Sequence, residues 1–74
     1  MKFNTLDLHG CRHGDVKIEV TNYLYLNQND CPILIICGNS QKMISLVEET
    51  LMDMESTFGV GSGNNYGTIM VRSV

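Results

Sequence analysis

The stretch Leu6-Asp7-Leu8-His9-Gly10 places a carboxylate and an imidazole two residues apart at the end of a short apolar run. In a strand, alternate residues project from one face, so Asp7 can hold the His9 ring in one tautomer and support its protonated form. That is a workable acid–base pair. The same spacing also suits a structural use, in which Asp7 accepts backbone hydrogen bonds from a nearby loop and His9 caps the sheet edge. His9, Cys11 and His13, with Cys37 as a fourth ligand, raise a third reading, a zinc or copper site. Against it, H-x-C-x-H is not a zinc-finger spacing, and alternate residues would have to face one way just where strand becomes loop.

Two further segments carry glycines and small polar groups. Cys37-Gly38-Asn39-Ser40 reads as a phosphate-facing turn, with Gly38 allowing close approach and Asn39 or Ser40 donating hydrogen bonds, or as a plain strand-to-helix turn capped by Ser40. Gly61, Gly63 and Gly67 surround Asn64 and Asn65 in a segment that brings backbone near a ligand or simply closes a hairpin. Arg12 and Lys42 are the cations that fall beside these segments, while the place of Arg72 depends on how the last strand pairs.

The elements that would hold these groups follow from periodicity. Lys2 to Leu8 alternates as a strand that Gly10 ends. Val16, Val20, Tyr23 and Leu24 mark one helical face, giving a helix from about His13 to Asn27, where "NQND" breaks it. Pro32 can begin a strand, and the β-branched "ILIIC" reads as a central one with neighbours on both sides and at least partial cover on both faces. From Ser40 a second helix follows, with Met43, Ile44, Val47, Leu51 and Met54 along one face. Strands near Thr57 to Gly61 and Thr68 to Ser73 complete a βαβαββ order.

Right-handed crossovers make the first three strands parallel, and the last hairpin returns the fourth antiparallel. Both helices then cover one face of a four-stranded mixed sheet, an α/β two-layer sandwich of the α+β kind. The loops after the first three strands gather at one edge, where both helices begin, so their unpaired N–H groups suit an anion, most naturally a phosphate.

Composition narrows the classes. Seventy-four residues support one domain, 1–74. No apolar run approaches the roughly 20 residues that cross a bilayer, and Met1 leads into no signal-like segment, so a cytoplasmic protein with no membrane partner is expected. Three cysteines without a C-x-x-C pair fit free thiols in a reducing compartment. A net charge of −3 and a pI near 5.0 argue against gripping a long nucleic-acid backbone by general attraction, so phosphate contact must be local.

Three segments together resemble the small-MutS-related (Smr) domain family. Leu6-Asp7-Leu8-His9-Gly10 matches its opening L-D-x-H-G. The strand into Cys37-Gly38-Asn39-Ser40 stands where the family has threonine or histidine followed by G-x-G. Gly63 to Thr68 is similar to its G-x-x-G turn into the last strand. Cys37 and Ser40 are departures from the central pattern. The resemblance spans almost the whole chain. It implies a fold similar to the C-terminal domain of the third bacterial initiation factor, with the fourth strand inserted between the second and third.

The resemblance also implies binding of RNA or DNA and, in many members, endonuclease cleavage. Carried over by position, Asp7 and His9 are the catalytic candidates, and the turn from Cys37 to Ser40 contacts the substrate backbone. With the cations and glycines read above, the nucleic-acid-binding candidates are Gly10, Arg12, Gly38, Asn39, Ser40, Lys42 and Asn65, with no metal and no cofactor. Moderate to low affinity follows from the acidic balance. The alternative is a non-catalytic interaction module that binds a protein partner or forms a homodimer through the sheet face the helices leave open.

Overall fold

The computed structural model describes residues 4–74. Phe3, expected in the first strand, lies outside them with Met1 and Lys2. β1 (Asn4–Asp7) and β2 (Ile33–Ile36) pair in parallel, from Asn4 opposite Ile33 to Asp7 opposite Ile36. β3 (Thr57–Val60) and β4 (Thr68–Ser73) are antiparallel, and β4 also pairs antiparallel with β2. The sheet order is therefore β1-β2-β4-β3. The expected four-stranded mixed sheet is present, with β4 inserted between β2 and β3.

The pleat separates the two sheet faces. Ile33 and Ile35 on β2 and Ile69 and Val71 on β4 are fully buried, whereas Leu34, Ile36 and Met70 on the opposite face are only half-buried. Both helices pack on the first face. α1 (Val16–Leu26) contributes Val16, Val20 and Leu24, and α2 (Gln41–Asp53) contributes Met43, Ile44, Val47 and Leu51 to the same core. Full burial of each such aliphatic side chain is worth about 1.5–3 kcal/mol. The central strand is thus densely covered on one face and partly open on the other.

Local chemistry sets the helix ends. The helix expected from His13 begins instead with a 3-10 turn, His13–Asp15, in which the Asp15 N–H donates to Arg12 O at 2.9 Å. Gly14 is a poor α-helix former, and the shorter i→i+3 closure tightens this first turn before Val16 starts the α-helix. At the other end the Asn27 amide donates to Tyr23 O at 2.9 Å, the competition for backbone groups that makes this residue a stop. Tyr23, expected on the core face, is half-buried and donates its hydroxyl to Thr5 O at 3.1 Å, tying α1 to β1.

Ser40 caps α2 as expected, its hydroxyl oxygen accepting from the Met43 N–H at 3.2 Å. The C-terminus closes as a Schellman motif: the Ser56 N–H donates to Leu51 O and the Glu55 N–H to Met52 O, both at 3.0 Å. Glu55 occupies the left-handed position of this motif with φ 57°, a place glycine takes without steric cost. Glu55→Gly should therefore raise stability by about 0.5–1 kcal/mol, relief of the left-handed strain outweighing glycine's extra unfolded-state entropy. A urea denaturation midpoint that falls instead would reject this account.

Candidate functional site

β1 and β2 run in parallel, so the chain leaves both at one edge of the sheet. Leu8 continues the pairing one residue past β1: its N–H donates to Ile36 O at 2.9 Å while its side chain is buried at 1% exposure. The chain then turns sharply, with the Cys11 N–H donating to Leu8 O at 2.8 Å and Gly10 at φ 86°. Those are the bond and the third-residue φ of a type II turn, which demands glycine there. His9 takes the outer corner and is exposed. The pattern L-H-G is thus an anchor, a displayed imidazole and a hinge for reversal.

Asp7 holds this turn in a different way from the side-chain pair expected. Its Oδ1 accepts from the backbone N–H of His9 at 2.9 Å. The alternation that would align the two side chains ends with β1 at Asp7, because Leu8 feeds directly into the turn. Asp7 therefore orients the main chain that carries His9. The backbone-accepting reading of this carboxylate describes what it does.

The second and third segments are joined to each other. The N–H groups of Cys37 and Gly38 both donate to Gly67 O, at 2.6 and 3.2 Å. Gly38 has φ 77° and Gly67 φ 91°. A Cβ on Gly67 would lie 2.5 Å from Gly38 O, so the two loops meet backbone to backbone with no room for a side chain. A 3-10 turn, Gly63–Asn65, shapes the third loop, and the Tyr66 hydroxyl donates to Gln41 Oε1 at 3.1 Å in the first turn of α2. Gln41 and Tyr66 escaped the sequence reading; a tyrosine among glycines and asparagines was the available signal.

Of the remaining candidates, Arg12, His13, Asn39 and Lys42 are exposed around this edge. Ser40 is committed to its cap, and the backbone N–H groups of Gln41 and Lys42 remain without intrahelical partners at the start of α2. Asn65 has its backbone in the third loop, but its side chain lies outside what is described. Arg72 belongs elsewhere. β4 is antiparallel to β2, so Thr68 is at this edge and Arg72 at the far end.

The thiols are held in their neutral form. Burial, followed by the nearby Glu48 carboxylate, pushes Cys37 up to about 11. Burial and then Glu19 and Asp15 raise the Cys11 thiol as well. Both thiols therefore stay protonated at neutral pH in the metal-free chain. Among the described residues, no group of three histidines, cysteines or acids comes together to hold a metal, so the set His9, Cys11, His13 and Cys37 is not assembled.

The chain matches no family model, no curated protein and no solved structure. Among the described residues, no helix is long and apolar enough to cross a membrane.

Proposed function

We propose that this chain is a small Smr-like nucleic-acid-binding domain of the cytoplasm, with a fold akin to the C-terminal domain of the third bacterial initiation factor. RNA or DNA would bind across the edge formed by the three loops. The observation that carries this reading is the presence at one edge of a displayed His9 turn, tied to β2 by the bond from Leu8 N–H to Ile36 O, and of the start of α2 and the third loop, joined by backbone bonds to Gly67 O. Arg12, Lys42 and the free N–H groups of α2 supply phosphate contacts. Few cations are available, so affinity is moderate to low.

In the same proposal the domain is an endonuclease. With RNA, His9 takes the proton of the substrate's 2′-hydroxyl as that oxygen attacks the adjacent phosphorus; the P–O5′ bond breaks to leave a 2′,3′-cyclic phosphate, and the departing 5′-oxygen takes a proton from water. Asp7 acts as a positioning residue, fixing the backbone from which the imidazole extends.

Binding is tested by fluorescence anisotropy with labelled RNA and DNA across a salt series. Two side-chain cations at the site imply roughly tenfold weaker binding between about 50 and 200 mM salt. Arg12→Ala and Lys42→Ala should each flatten the logarithmic salt slope by about one unit or less. Binding indifferent to salt, or to both substitutions, would remove this edge as the phosphate site.

A further inference from the structure

We propose that the open face of the sheet is the contact surface of a homodimer. This inference does not rest on the nucleic-acid reading, although Asp7 takes part in both. The face is defined by the register: Thr5, Leu34, Met70 and Gly59 lie in one row across the four strands, and Asp7, Ile36 and Thr68 in the next. Leu34, Ile36 and Met70 form its apolar centre and are half-buried, and among the described residues no helix packs over them.

Two charges bracket that centre. Asp7 on β1 and Arg72 on β4 are the charged residues of the described strands. Asp7 is level with Ile36, whereas Arg72 is one residue beyond the Val71–Ile33 pair, at the opposite end. Strand spacing and rise put the two roughly 16 Å apart, too far to pair within one chain. Arg72 forms no ion pair among the described residues, and its guanidinium lies along the face over Gly59, where a Cβ would come within 3.2 Å of Nη2. A depression of about 420 Å³ opens beside it, floored by Leu34, Thr68 and Met70.

A second copy fits this arrangement better than an arbitrary partner because the face is complementary to itself. A two-fold axis in the plane of contact, set midway between Asp7 and Arg72, brings each Asp7 against the partner's Arg72 twice over. The apolar residues of the two copies then meet at the axis. Closed isologous pairing of this kind is the commonest oligomer.

Sedimentation equilibrium from about 1 μM to 1 mM tests the proposal, with a dimer expected within that range. Arg72→Gln and Asp7→Asn, the latter keeping an oxygen that can accept from the His9 N–H, should each weaken the dimer about tenfold. Their double variant should be no weaker than either single one, the signature of a shared contact. Met70→Glu should leave a folded monomer. Three outcomes would overturn the proposal: a wild-type monomer at 1 mM, a dimer indifferent to Met70→Glu and Arg72→Gln, or one broken instead by Tyr25→Glu on the outer face of α1. RNA-induced amide shifts at Leu34 and Met70 in a strict monomer would reassign the face to nucleic acid.

Discussion

Gly67→Ala is expected to cost about 3–5 kcal/mol, a large part of the ~4–11 kcal/mol total stability of a chain this long. Two effects add. At φ 91° any residue with a side chain is strained by about 1–2 kcal/mol or more. The new methyl would also lie 2.5 Å from Gly38 O, and that obstacle is backbone, which cannot swing aside. Relief requires the two loops to separate, and separation breaks the bonds from Cys37 and Gly38 to Gly67 O, each worth about 1 kcal/mol.

Gly10→Ala and Gly38→Ala are the controls. Both glycines have positive φ but open space where a Cβ would go, so each should lose only the strain, about 1–2 kcal/mol. Urea denaturation of the three variants separates the contributions. Equal losses at all three positions would mean that the loop junction contributes nothing of its own.

His9→Ala is expected to lower RNA cleavage by about 10²–10⁴-fold, the usual contribution of a positioned general base, while binding changes by less than about threefold. Asp7 predicts a different pattern. Asp7→Ala removes the acceptor of the His9 N–H and lets the turn drift, for a loss on the order of tenfold. Asp7→Asn, which retains an acceptor oxygen, should keep more of the rate than Asp7→Ala. Cleavage unchanged by His9→Ala would take this imidazole out of the reaction.

Much of the fold could be read in short windows of sequence. β4 has the bounds expected, Thr68–Ser73, because "TIMVRS" alternates between a buried and a partly open face. Val16, Val20 and Leu24 recur at helical spacing and share the core, and Asn27 stops α1 with its own side chain. Ser40 caps α2 for the same local reason. Gly10 marks a reversal because no other residue adopts its φ so cheaply. Each of these depends on groups only a few positions apart.

The site was less legible. Asp7 and His9 are adjacent enough in sequence to be singled out, yet whether the carboxylate meets the ring or the backbone depends on where the pairing with β2 ends. The junction of Gly38 with Gly67, and of Gln41 with Tyr66, joins residues more than twenty positions apart, and no local pattern encodes it. The antiparallel return of β4 was expected from the sequence, but the level of Arg72, one residue beyond the Val71–Ile33 pair, came only with the register. Residue type, period and turn chemistry thus determined the elements and the groups available for chemistry. Strand order and register decided which of those groups meet, because contacts between distant segments are selected by burial of the whole sheet face and not by any one stretch of chain.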